Sequence, residues 1–264
     1  MAADRVKHDL AAQVQACLAT VMDPELDEPV TELGFVTDVE LLEEGEVRIG
    51  FRLPTYWCAA NFAFLMANDM RLAVEALPWV RRVHVQLHEH MYAEAINQGV
   101  ADGNGFQATF GTAAEGDLEA LRRTFALKAF QRRQAALLEH LLAAGGEAPA
   151  LVSLDLEELE GLPLLDTEGK RLVERYLARR AVAGGGTRAF VDTAGEPIAA
   201  DAVPGHLRDL HRVGVNAEFN GALCRGLLAV RYGAAELQPI RIVRRLRAAD
   251  DPSSPGVAPA CATS

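Results

Sequence analysis

Cys58 is the residue with the most evident chemistry. It stands in Leu53-Pro54-Thr55-Tyr56-Trp57-Cys58-Ala59-Ala60-Asn61-Phe62, where a strand pattern ends at Pro54 and a helix pattern begins near Ala59. Free backbone N–H groups and the positive end of the helix dipole stabilise a thiolate at such a start. The thiolate is the form of cysteine that binds metal or attacks an electrophile. The competing reading is a small buried hydrophobe. Three histidines, His84, His88 and His90, alternate along the segment 81–90 and so share one face of a strand. Imidazole suits iron, zinc and copper. His88 and His90 are near enough to share a metal if their side chains converge, whereas His84 is too far from His90. Cys58 with these histidines would make a mixed site fit for iron–sulfur or zinc. The alternative is an exposed or subunit-facing sheet surface. Asp23 and Glu25 flank Pro24 as ligands or anchors, with turn stabilisation an equal role for Asp23.

Other chemistries have weaker support. Cys58 with His84 or His88 would be a Cys–His nucleophile pair, but nothing marks a substrate pocket. The chain has no GxSxG, no HExxH and no dinucleotide fingerprint. Gly184-Gly185-Gly186 lacks the phosphate-loop pattern and follows no strand.

The elements that must position these residues read from periodicity. Leu10, Val14, Cys17, Leu18 and Val21 give an amphipathic helix over 7–21, with Cys17 on its apolar stripe. The Asp23-Pro24 step breaks it. Alternation predicts strands over 35–41 and 47–53, joined by a Glu43-Glu44-Gly45-Glu46 turn. A helix follows over 59–76, stopped by Pro78, and then the histidine strand. Helix, strand, strand, helix, strand predicts a compact α+β domain over 1–100. Residues 101–116 read as a glycine-rich connector. A long helix over 117–143 closes at Gly145-Gly146, and a helix over 167–182 has Asp166 or Thr167 as its cap. Helices over 205–212 and 216–231 complete a mainly α-helical region, 117–248. In the last of them Phe219, Leu223, Leu227 and Val230 form an apolar stripe, with Cys224 beside it as core. The tail, 249–264, carries Cys261 and has the composition of a disordered segment. Arg122, Arg123, Lys128, Arg132 and Arg133 make part of the long helix basic. That is a solvated face or a docking surface for an acidic partner, including this chain's own first domain.

Composition bounds the answer. The 264 residues carry a net charge of -11 and only four scattered cysteines, with no CxxC pair. Scattered thiols indicate a reducing compartment. An acidic N-terminal half disfavours nucleic acid and anionic membrane as partners. No signal-peptide pattern or membrane-length apolar run is present, so the expectation is a cytoplasmic protein.

Several linked motifs then resemble one family. Asp23-Pro24-Glu25, Leu33-Gly34-Phe35-Val36-Thr37-Asp38-Val39, Thr55 with Cys58, and Leu77-Pro78-Trp79-Val80-Arg81-Arg82-Val83-His84-Val85 are similar to the PaaD-like and SufT-like iron–sulfur cluster assembly domains. The match covers roughly residues 8–92. The resemblance implies an α+β domain that matures or targets metalloproteins, with Cys58 as the functional thiol and Asp23, Glu25 and Thr55 around it. Two departures stand out: Ala59 replaces the proline that often follows the cysteine, and Tyr56-Trp57 is bulkier than usual. Relatives serve a di-iron oxygenase system, so the resemblance implies a metallo-oxygenase client.

Three functional readings follow. The first is a maturation factor: Cys58 transiently holds an iron–sulfur cluster or iron, and the helical half, including Arg122, Arg123 and Arg132, grips a client metalloprotein. Other iron–sulfur assembly proteins would be further partners. One cysteine per domain cannot complete a cluster, so a homodimer, added histidines or a client ligand must contribute. The second is a non-metal adaptor. The third, ranked last, is a small cysteine- or metal-dependent enzyme.

Overall fold

The computed structural model describes residues 2–111, 118–163, 165–233 and 240–243. The predicted tail with Cys261, and residues 112–116 of the predicted connector, lie outside the described residues.

Helix α1 (Ala2–Leu18) is followed by a turn-rich acidic loop, then strand β1 (Val36–Leu41), a short turn over Glu43–Gly45, and strand β2 (Glu46–Arg52). Helix α2 (Ala60–Glu75) and strand β3 (Arg82–His88) complete the predicted order. β1 and β2 pair antiparallel, and β2 pairs parallel with β3 from Glu46↔Arg82 to Arg52↔His88. A parallel neighbour needs a crossover, which α2 supplies. Alternation puts Val39, Val47, Ile49, Phe51, Val83, Val85 and Leu87 against α1 and α2, where Val14, Leu18, Met66, Met70 and Val74 meet them. Full burial of side chains such as Phe51 and Ile49 stabilises the fold by roughly 1.5–3 kcal/mol each. The α+β class is as expected.

Three features differ from expectation. First, the described part of the glycine-rich connector is structured: α3 (Ala93–Ala101) runs up to its start, α4 (Phe106–Phe110) folds within it, and Ile96, Val100 and Phe106 join the first core. Gly99 serves contact, not freedom, since a Cβ there would run into the Thr109 side chain. Its glycines blur the helical period without preventing the helices. Second, a short strand, β4 (Arg241–Val243), returns from the C-terminal half and pairs parallel with β1, giving the order β3-β2-β1-β4. Third, the two helices expected over 205–231 are one.

The helical half comprises α5 (Leu118–Ala143), α6 (Ala148–Ser153), α7 (Leu156–Glu160), α8 (Thr167–Arg180) and α9 (Val203–Tyr232). Asp166 caps α8 by accepting from the Gly169 N–H at 2.7 Å. Asp155 and Glu158 make a reciprocal capping box on α7. A second core gathers Phe130, Leu137, Leu138, Leu141, Tyr176 and Phe190. α9 spans both cores: Val203 belongs to the second and Leu228 to the first. Gly214 costs helix stability only modestly, so packing at both ends keeps α9 continuous.

Packing also reverses the expected direction of the α9 stripe. Gly221, Cys224 and Leu228 face the first unit, and Phe219 (68 % exposed), Leu223, Leu227 and Val230 (87 %) face outward. At 100° per residue these are opposite sides of one helix. The inward side is the one against the acidic loop.

Candidate functional site

Cys58 lies just before Ala59, the N-cap of α2, half-buried against the first core. Its N–H faces the Thr55 carbonyl at 3.5 Å, and the Thr55 hydroxyl meets Cys58 Sγ at 3.1 Å. Thr55 is therefore in contact with the thiol, as the resemblance implies. The helix start and the hydroxyl together give a thiolate a dipole and a hydrogen bond.

His84 and His88 share the outward face of β3, and His90 does not join them. Glu89 takes a left-handed conformation (φ 51°), ends β3 and turns His90 inward. His88 points outward from the strand, exposed, and His84 lies 3.5 Å from Glu46. His90 is only 5 % exposed. Its Nε2 donates to the Cys58 carbonyl at 2.8 Å, and its Nδ1 accepts from the Tyr92 N–H at 3.2 Å. These two bonds define the neutral Nε2–H tautomer. The expected His88–His90 metal pair is thus corrected: His90 bolts the Cys58 loop from beneath, and His88 is elsewhere. Among the described residues no group of three or more His, Cys, Asp or Glu is placed to hold a metal ion. Met91 N–H to the Tyr56 carbonyl, 2.9 Å, closes the loop from the other side and leaves Tyr56 and Trp57 exposed.

The acidic loop divides its carboxylates between two tasks. Asp23 is buried and accepts from the N–H groups of Glu25 and Leu26 at 2.9 and 2.8 Å. Burial raises its pKa to about 6, with Glu25 and Glu28 adding repulsion. Glu25, Asp27 and Glu28 dock the helical half. Asp27, 4 % exposed, receives Arg133 at 2.6 and 2.8 Å and Arg179 at 3.1 Å. The Glu25 carboxylate accepts from Asn220 and its carbonyl from Arg132, and Glu28 pairs with Arg225. Glu25 is an anchor in this geometry.

The basic face of α5 likewise turns toward this chain's own first unit. Arg122 grips Asp69 of α2 with two bonds, 2.7 and 2.9 Å, and the Asp69 contact raises the Arg122 pKa. Burial lowers that of Arg132. Arg123 lies beside Arg122 at the rim of a depression with Val182. A cleft of about 630 Å³ separates the acidic loop from α5, α8 and α9, lined by both signs of charge, and Cys58 is not in it.

Sequence reasoning missed Asp27, Asn220 and Cys224 as parts of this region, whereas Arg133 belongs to the basic face expected to dock on the first domain. The acidity of residues 23–28 was a signal for Asp27. Nothing in the sequence connects Cys224 to Cys58. In the fold, Cys224 is half-buried against the same core, and the charges of Asp23, Cys58 and Glu25 reach it.

Comparison with known proteins fits this geometry. The family described as iron–sulfur cluster assembly protein matches residues 11–87, which are the strands and helices that carry the Cys58 loop. An uncharacterised protein of Methanocaldococcus jannaschii is 31 % identical over 81 residues, which is 31 % of this chain and 83 % of that protein. The chain belongs to the iron–sulfur cluster assembly protein family. An iron–sulfur cluster carrier protein of Mycobacterium leprae is 42 % identical over 84 residues. That is 32 % of this chain, which spans 21 % of the mycobacterial protein's length. No solved structure matches the chain. The helical half lies beyond the family match. Among the described residues no helix is long and apolar enough to cross a membrane.

Proposed function

We propose that this protein is an accessory factor of iron–sulfur assembly whose Cys58 transiently holds a metal–sulfur unit and passes it to a client metalloenzyme. The contact of the Thr55 hydroxyl with Cys58 Sγ at a helix start, above the His90 bolt, carries this reading. Family membership supports the cargo. The unit is cargo and not a resident cofactor, because the usual complement for a cluster is four cysteine thiolates. Asp23, a functional position by the family resemblance, is a buried carboxylate that fixes the acidic loop through the Glu25 and Leu26 N–H groups. Glu25 and Arg132 hold the helical half in place, and a metallo-oxygenase is the client class we favour. Cytoplasmic location and division into an α+β domain over 1–100 and a helical domain over 117–248, joined by the 101–116 connector, are parts of the same reading.

Transfer tests it. The loaded full chain is mixed with an apo iron–sulfur enzyme, and recovery of that enzyme's activity is followed beside Cys58→Ala. The reading predicts activation by the wild type and none above the free iron and sulfide background by the variant. Full activation by the variant would sink it.

A second reading, an adaptor that binds a client without metal, is favoured by the outward row Phe219, Leu223, Leu227 and Val230. In that case Phe219→Ser with Leu223→Ser weakens client binding and Cys58→Ala leaves it unchanged. The opposite pattern would reject the adaptor.

A further inference from the structure

The loop that carries Cys58 is held between the ends of two neighbouring strands. β2 ends at Arg52, just before the loop, and β3 ends at His88, the register partner of Arg52. Glu89 follows in the left-handed region (φ 51°), and that turn sends His90 beneath the loop, where it donates to the Cys58 carbonyl at 2.8 Å. The Met91 N–H then donates to the Tyr56 carbonyl at 2.9 Å. The position of the thiol therefore depends on a turn that a glutamate adopts against its preference. Such a conformation persists only where surrounding contacts over-determine it.

Those contacts come from the helical half. At the C-terminal end of α9, Arg231 Nη2 and the Tyr232 hydroxyl both donate to Glu89 Oε2, at 2.8 and 2.9 Å. The Tyr232 ring faces the other strand end, where the Arg52 guanidinium lies over it at 3.8 Å from the ring centre. One side chain of α9 thus touches the last residue of β2 and the first residue after β3. The end of α9 is itself anchored, since Leu228, one turn earlier, is fully buried in the first core. Burial, and next the bond to Glu89, push the Tyr232 hydroxyl up to about 12, so it stays protonated and remains a donor.

We propose that Tyr232, with Arg231, is a positioning residue for Cys58: the end of α9 clamps both strand ends and, through Glu89 and His90, fixes the loop that presents the thiol. The proposal rests on the reading of Cys58 as the cargo thiol and gives the helical half a part in it. Tyr232 touches neither the thiol nor its cargo. It acts through a chain of hydrogen bonds, from its hydroxyl to Glu89, and from His90 to the Cys58 carbonyl. Docking of α9 and the geometry of the thiol are then one equilibrium, and whatever lifts the end of α9 also frees the Cys58 loop.

Amide hydrogen exchange by NMR on the full chain tests the clamp, beside iodoacetamide alkylation of each cysteine followed by peptide mass spectrometry. Tyr232→Phe is the first variant, because it keeps the ring over Arg52 and removes only the hydroxyl. The clamp predicts that exchange of the Met91 N–H rises about tenfold, as expected for loss of a hydrogen bond to a charged group. The amides of β2, which has a neighbour on each side, should keep their rates. Cys58 alkylation should rise with Met91 exchange, because the same openings expose the half-buried thiol, while Cys17 on α1 keeps its rate. Glu89→Ala should raise Met91 exchange at least as much, and adding Tyr232→Phe to it should raise it no further, since both act through one bond. Unchanged Met91 exchange in Tyr232→Phe would overturn the clamp. So would a rise shared equally by β2, or faster Met91 exchange with Cys58 alkylation unmoved. A loop that loosens as stated in a protein that never takes up iron and sulfide would keep the clamp and remove the cargo reading. Normal loading with Met91 exchange unmoved would do the reverse.

Discussion

Gln134 in the helical half and Asp23 in the first half are both shut away from water, and they are treated differently. Gln134 donates to the Tyr176 hydroxyl at 3.1 Å and the Val191 carbonyl at 2.8 Å, and its oxygen meets His206. The Tyr176 hydroxyl donates to the Ala189 carbonyl at 2.6 Å, and Arg180, 4 % exposed, donates to the carbonyls of Gly184, Arg188 and Ala189. These groups have no reactive atom to offer, because their hydrogen bonds are spent on structure. Asp23 instead accepts two backbone N–H groups amid the charges of Glu25 and Glu28. Its charge is held in an environment that disfavours it. The contrast teaches that the second half spends its buried polar groups on structure, whereas the acidic loop keeps in Asp23 a charge that burial disfavours.

The seam between the halves is where that contrast is easiest to break. Asp27→Asn keeps the left-handed backbone, which Asn tolerates, yet leaves Arg133 (9 % side-chain exposure) and Arg179 without their carboxylate. The expected loss is about 3–5 kcal/mol in urea unfolding. A change within experimental error would show that the two halves are not locked through Asp27.

On α9 the two sides should differ sharply. Leu228→Ala should cost about 2–4 kcal/mol by opening a cavity in the first core. Phe219→Ser on the exposed side should stay within about 0.5 kcal/mol. Equal costs would mean that the helix is rotated from the orientation described here.

Asp23→Asn should act in the opposite direction. A carboxyl whose folded pKa is about 6 against an ordinary 3.8 binds more protons folded than unfolded between those values. Stability therefore falls as pH rises from about 4 to 6, and the penalty persists above pH 6. Asn keeps the acceptor for the two N–H groups and removes the charge. The variant should gain up to about 3 kcal/mol at pH 7 and flatten the pH profile of unfolding. Destabilisation at pH 7 would mean that the Asp23 charge is matched by something other than its backbone partners. The smallest effect is expected at Arg122→Met, where a half-exposed pair with Asp69 is worth about 1 kcal/mol or less. A larger loss would make the basic face of α5 a principal part of the seam.

Much of the first half was legible because its signals are local. Alternation marked β1, β2 and β3, and Pro78 and Asp23-Pro24 marked the ends of helices. His90 was misplaced because alternation was carried past Glu89, whose positive φ no sequence rule announces for glutamate. The direction of the α9 stripe was misjudged for a different reason. A helix with Gly221, Cys224 and Leu228 on one side and Phe219, Leu223 and Leu227 on the other has apolar residues on both, and only the docked partner chooses between them. Thr55 beside Cys58 followed from the family resemblance. The docking of α9 on the acidic loop depends on long-range contacts, the Arg225–Glu28 ion pair and the Asn220–Glu25 hydrogen bond, which become visible only in three dimensions.

The most direct test of the central claim is anaerobic reconstitution of the full chain with iron and sulfide, read by visible absorption and metal analysis beside Cys58→Ala. Charge-transfer bands and bound iron in the wild type, both lost in a variant with an unchanged circular-dichroism spectrum, are the predicted result. Bands of equal strength in the two proteins, or colourless iron-free protein in both, would contradict the claim that Cys58 holds the cargo.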